Sequence, residues 1–259
     1  MYQGIFDTHA HYDHLLFNYI RHAILSGMPE LGVSLILNCG SDEESSFYSL
    51  ALAEEYPFIF SAAGIHPHAA AHTEDGWQER IMELFSHEKT LAVGEIGLDY
   101  HYNFSDPSIQ RKVFAKMLEI AISLDLPVVV HDREAHEDIL AMLKEYHPYG
   151  VVHRFSGSID MMEQLVEMGF YLGFGCSLVY NNALTERNAV AQIPIDRLLL
   201  ETDCPYLPPP HNKDELCRSD MLSFAADTIS EIRPSYTPQQ IIDIANENGK
   251  RLFSIKNNC

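Results

Sequence analysis

The segment Gly4-Ile5-Phe6-Asp7-Thr8-His9-Ala10-His11 decides how the rest of the chain is read. It is a short apolar run that closes on two histidines one residue apart. In a strand, residues i and i+2 share a face, so His9 and His11 are expected to point together from the strand's end. The turn reads His9-Ala10-His11-Tyr12-Asp13-His14. An open doubly wound sheet would normally carry its ligand signature there, in a glycine-rich turn such as Gly-x-Gly-x-x-Gly. The histidines suggest a metal site and argue against that sheet.

Seven further apolar runs follow: Val33 to Asn38, Phe58 to Ala63, Leu91 to Glu95, Pro127 to His131, Val151 to His153, Tyr171 to Gly173 and Leu198 to Glu201. Helix signals lie between them. Ser41 followed by Glu44 reads as a capping box, Asp106-Pro107 as a cap before a first-turn proline, and Gly27 and Gly169 as C-terminal stops. Thr237-Pro238-Gln239-Gln240 opens a last helix, and Pro205 to Pro210 reads as a loop. Strands alternating with helices imply parallel strands joined by crossovers. Eight such units in 259 residues predict an α/β protein, a (β/α)8 TIM barrel, as a single domain over 1–259.

Composition narrows the function classes. No run approaches the roughly 18 apolar residues of a membrane span, and the first residues lack a basic region followed by an apolar one, so a soluble, cytoplasmic protein is expected, with no obligate protein partner implied. The five cysteines (Cys39, Cys176, Cys204, Cys217 and Cys259) contain no Cys-x-x-Cys and read as reduced thiols. The 37 acidic against 17 basic residues give a net charge of −20, which disfavours tight non-specific binding to nucleic acid. A nucleic-acid enzyme is still allowed, because bound divalent cations neutralise phosphate locally.

A barrel builds its active site at the C-terminal ends of its strands. Those ends supply His9, His11, Glu95, His131, His153 and Asp203, all metal-ligand types. Four histidines and two carboxylates suit two divalent ions, Zn, Mn, Mg or Co, with Glu95 or a water between them. Glu95 is flanked by glycines, which keep neighbouring side chains away, and a carboxylate inside a barrel is costly without a cation. Asp203 is the carboxylate placed to orient a water and accept its proton, so Glu95 and Asp203 are the expected catalytic residues. His66 and His68, after the third strand, and Arg133 and Arg154, each just beyond a ligand histidine, are candidate substrate contacts. Asp7, on the face of His9, is a candidate orienter of a ligand imidazole. His14, His22, His72, His87, His136, His147 and His211 read as surface residues.

Seven motifs occur in order: Asp7-Thr8-His9-Ala10-His11, Gly64-Ile65-His66-Pro67-His68, Gly94-Glu95-Ile96-Gly97-Leu98-Asp99-Tyr100, Pro127-Val128-Val129-Val130-His131, His153-Arg154-Phe155-Ser156-Gly157, Glu201-Thr202-Asp203-Cys204-Pro205-Tyr206-Leu207 and Asn248-Gly249-Lys250-Arg251-Leu252-Phe253. Through them the chain resembles the TatD-type metal-dependent deoxyribonucleases, amidohydrolase-like barrel hydrolases, over nearly its whole length. The resemblance implies a dinuclear centre on His9, His11, Glu95, His131, His153 and Asp203, with Glu95 bridging. It also implies DNA or an oligonucleotide as substrate, cleaved at phosphodiester bonds. After Leu207 the chain departs from the family. Pro209-Pro210-His211-Asn212-Lys213-Asp214-Glu215-Leu216 stands where a basic Arg-Gly stretch is usual. Hydrolysis of an uncharged cyclic amide or lactone by the same centre is the alternative, and a barrel with a vestigial site a third reading.

Overall fold

The computed structural model describes residues 1–256. Its strands are β1 (Ile5–Ala10), β2 (Val33–Cys39), β3 (Ile59–Ala63), β4 (Thr90–Asp99), β5 (Val128–Arg133), β6 (Gly150–Val152), β7 (Tyr171–Phe174) and β8 (Leu198–Leu200). All pair in parallel, in sequence order. The chain beyond β8 returns to β1: the Asp203 N–H donates to the His9 carbonyl (2.9 Å) and the His11 N–H to the Cys204 carbonyl (2.9 Å). The eight expected runs are thus the eight strands of a barrel; His9, His11 and Asp203 lie where β8 meets β1, and Glu95, His131 and His153 at or near the ends of β4, β5 and β6.

The main helices among the described residues are α1 (Arg21–Gly27), α2 (Glu43–Glu55), α3 (Trp77–Leu84), α4 (Pro107–Leu124), α5 (His136–Tyr146), α6 (Ile159–Glu167), α7 (Leu184–Gln192), α8 (Leu222–Ile232) and α9 (Pro238–Leu252). Asp106 caps α4 and Thr237 with Gln240 caps α9, as the sequence predicts. At α2 the capping box is shifted by one residue. The Asp42 carboxylate accepts from the Ser45 N–H (2.8 Å), and the Ser45 hydroxyl accepts from the Asp42 N–H (2.9 Å). An aspartate caps as well as a serine, and Ser41 stays outside the helix. Gly169 stops α6 with φ +89°, whereas Gly27 ends α1 without a positive φ and the left-handed turn falls at Gly32. Among the described residues no helix is long and apolar enough to cross a membrane. Cys39, Cys176, Cys204 and Cys217 are buried free thiols, and Cys259 lies outside the described residues.

Two apolar clusters hold the barrel together. One is made of a side chain from each strand (Phe6, Leu37, Ala62, Ala92, Val129, Val151, Tyr171 and Leu199) with Leu252 and Phe253 at the end of α9. The other packs the opposite faces of the strands against the helices. Burying one such side chain contributes about 1.5–3 kcal/mol, so each strand is anchored on both faces and its C-terminal end is held in register.

Candidate metal centre

Each predicted ligand is the polar end of a strand whose preceding residues are buried among apolar neighbours. His9, His11, Glu95, His153 and Asp203 are themselves buried. Glu95 is central. Its Oε2 lies 3.5 Å from His9 Nε2 and 3.4 Å from His11 Nε2, and those nitrogens are 3.0 Å apart. Asp203 Oδ1 is 3.8 and 3.4 Å from the same two nitrogens. Glu95 Oε1 faces the other way, 2.9 Å from His131 Nδ1, 2.8 Å from His153 Nε2 and 3.4 Å from His66 Nε2. One carboxylate therefore stands between two groups of imidazoles. His66, expected only as a substrate contact, joins the second group.

The donor set fits a cation. Burial alone would raise the carboxyl of Glu95, but His66, His153 and His9 around it and the hydrogen bond with His11 hold it well below the carboxylate range. Asp203 is likewise lowered, its burial outweighed by His11 and by the charge of Arg154. Burial would lower His153, yet Glu95 and Glu201 push it up to about 10. His66, with burial dominant, falls to about 4. Without a metal, the two anions hold protons on nearby imidazoles, the electrostatic demand that a divalent ion would meet. The buried His9 Nδ1, His153 Nδ1 and Glu201 Oε2 have no hydrogen-bond partner among the described residues.

Three supporting residues differ from expectation or were not foreseen. Asp7 does not touch a ligand imidazole. Two residues of β2 span three of β1 between Asp7 and Ala10, a bulge that breaks the i, i+2 relation and turns Asp7 to the other face. Its carboxylate accepts from Thr202 N (2.9 Å), Thr202 Oγ1 (2.6 Å) and Ser219 Oγ (2.7 Å), fixing the β8 end that carries Asp203. Asp99 Oδ2 accepts from His131 Nε2 (3.2 Å) and His68 Nε2 (2.8 Å), the carboxylate–histidine arrangement that sets the tautomer of a ligand. Glu201 lies 3.7 Å behind His153 Nδ1, too far for a hydrogen bond, and accepts from the backbone N–H of Arg154. Asp99 and Glu201 both stand in apolar strand-end motifs, the same signal that marked Glu95 and Asp203.

The glycines beside Glu95 act differently from the sequence reading. A Cβ on Gly94 would lie 2.5 Å from the Cβ of Val129, and one on Gly97, at φ +141°, 2.0 Å from the His131 carbonyl oxygen. They let β4 press against β5, so that Glu95 meets His131. Asp203 (φ +60°) and Arg154 (φ +44°) are held left-handed, a strain of order 1–3 kcal/mol each that clusters at functional sites.

The cluster opens into a cleft of about 760 Å³. Arg154 lines it and pairs with Asp203 (2.7 Å), while the Arg133 guanidinium lies 4.5 Å from the centre of the Tyr102 ring. His14 and His72, read as surface residues, line it as well, as do His66 and His68. They come from loops that fold over the mouth, which strand patterning does not locate.

A (β/α)8 barrel with histidines and carboxylates converging at its mouth defines a metal-dependent hydrolase. The uncharacterized metal-dependent hydrolase YabD of Bacillus subtilis is 35% identical over 97% of this chain and 99% of its own. The 3'-5' ssDNA/RNA exonuclease TatD of Yersinia pseudotuberculosis is 33% identical over 90% and 93%. The crystal structure of the TatD homologue YjjV from Escherichia coli superposes with a TM-score of 0.91 at 30% identity, covering 99% of this chain and all of that one. Residues 6–254 match the family described as TatD related DNase, and the chain belongs to that family.

Proposed function

We propose that the protein is a nuclease that hydrolyses phosphodiester bonds of DNA or oligonucleotides with two divalent cations and one water, and that residues 1–259 act as a single catalytic domain. The observation that carries this reading is Glu95, one oxygen of which faces His9 and His11 and the other His131 and His153. His9, His11 and Asp203 would hold one ion, His131 and His153 the other, with Glu95 shared and His66 beside the second. Zn, Mn or Co suits so many imidazoles better than Mg, which prefers oxygen. When bound, the ions supply Lewis-acid polarisation of the phosphoryl group and activation of the water.

The chain's own residues do the rest. Burial holds the Cys39 and Cys204 thiols well above their ordinary pKa, so neither is available as a thiolate, and in the proposed reaction water is the nucleophile. Asp203, ionised and fixed through the Asp7–Thr202 contacts, orients that water and takes its proton. Arg154, on the other Asp203 oxygen, would contact a phosphoryl oxygen, and Arg133, which also lines the cleft, would do so further out. His66 and His68 border the same space. The named activity of relatives at 33% identity supports a nucleic acid over an uncharged cyclic amide or lactone.

The test is to strip the protein with chelator, restore Zn, Mn, Mg or Co singly, and assay a labelled oligonucleotide beside a lactone and a cyclic amide. Metal-restored cleavage of the oligonucleotide is expected. Activity confined to the uncharged substrates, or none under any metal, refutes the proposal.

A further inference from the structure

The loop between β4 and α4 presents two aromatic rings that the hydrolytic site does not use. Tyr102 and Phe104 line the cleft with side chains 48% and 64% exposed. Their ring planes are within 4° of parallel, with centroids 5.5 Å apart. Large apolar side chains left this open at the rim of a cleft mark a binding surface.

The loop around them is pinned. Asp99 Oδ1 accepts from the His101 N–H (3.0 Å) and the Tyr102 N–H (2.9 Å). Past the rings, the Ser105 hydroxyl accepts from the Ala71 N–H (2.9 Å) and donates to the His68 carbonyl (3.2 Å). The Ser105 carbonyl accepts from the Gln110 amide (2.9 Å). The guanidinium of Arg133 lies over Tyr102 and the His68 ring meets Phe104 edge-on at 4.8 Å. Exposed rings on a backbone fixed at both ends are a preformed surface, and the other oxygen of Asp99 accepts from His131.

Charge says what the surface is for. The protein carries −20, and among the described residues the arginines and lysines lining the cleft are Arg133 and Arg154 alone, one over a ring and the other paired with Asp203. Two arginines give only a small contribution to holding a polyanion by counterion release, which scales with the number of phosphates neutralised. Stacking of unpaired bases on aromatic faces needs no net charge and is sequence-tolerant, because every base has a π-face. The geometry points to Tyr102 and Phe104 as a nucleobase-stacking platform that holds one unpaired base of the substrate strand next to the metal centre. This rests on the nuclease reading and adds to it a residue-level cause for binding a flexible strand end.

The experiment uses single-stranded oligonucleotides in which one residue at a time is replaced by an abasic tetrahydrofuran, with wild type, Phe104→Ala, Phe104→Leu and Phe104→Trp. For the wild type, KM is expected to rise roughly 5- to 150-fold when the stacked position is abasic. Phe104→Ala should show a similar rise on the intact strand, with kcat little changed, and be indifferent to the abasic site. Phe104→Trp should restore KM, and Phe104→Leu, apolar but not planar, should not. A Phe104→Ala enzyme with the wild-type KM, or with the same loss on intact and abasic strands, overturns the platform while the nuclease reading stands. A wild type that cleaves no strand overturns both.

Discussion

Replacing Asp99 by Asn tests whether the supporting carboxylates, beyond the ligands themselves, set metal affinity. The Asp99 side chain works in two directions: Oδ1 accepts from two backbone N–H groups, at 3.0 and 2.9 Å, and Oδ2 from His131 Nε2 and His68 Nε2. Burial would raise this carboxyl, but the hydrogen bonds from His131, the Tyr102 N–H and His68 outweigh it and keep it ionised. An asparagine that keeps its carbonyl on the backbone turns an NH₂ toward His131 Nε2. That imidazole must then carry its proton on Nδ1, the nitrogen facing Glu95, where it cannot ligate a metal. The flipped amide restores the His131 contact but sets its NH₂ against two N–H donors, at about 1–3 kcal/mol for each buried donor left unpaired. Either way affinity at the His131 site falls about 10- to 100-fold, or about 1.4–2.7 kcal/mol. Competition of the stripped protein against a fluorescent zinc chelator measures this, and activity should recover at excess metal. A folded Asp99→Asn protein with wild-type affinity would refute the tautomer argument.

Three further outcomes follow from the same geometry. Gly97→Ala should destabilise the protein by about 2–5 kcal/mol in urea unfolding, since the added methyl meets the β5 backbone at a positive φ. His136 donates to Asp132 (2.8 Å), which raises its pKa above 6.5 against its burial. The protonated form therefore adds stability that is fully present below the unfolded value and is lost as pH rises through the higher folded one, so His136→Asn should cost up to about 1 kcal/mol near pH 5.5 and nothing near pH 9. Thr237→Ala removes the reciprocal cap of α9 and should lower stability by about 0.5–2 kcal/mol without affecting metal content.

The strands and the polar residues at their ends were legible because a parallel strand covered on both faces is a plain apolar run, and its end is where that run meets a histidine or carboxylate. The apolar run of β4 ends at its first charged residue, Glu95, although the strand continues to Asp99, and that shortening hides Asp99. Asp7 was misplaced because a bulge changes face parity without changing composition. His14 and His72 reach the cleft through loop paths that hydrophobic periodicity does not encode, and Tyr102 and Phe104 carry no polar signature to single them out.

The central claim is that Glu95 joins two cation sites, and the most direct measurement is metal content by elemental analysis. The account predicts two divalent ions per wild-type chain purified with metal present, and no more than one per Glu95→Gln chain with an unchanged circular dichroism spectrum. A folded Glu95→Gln protein that retains two ions, or a wild type that binds none, contradicts it.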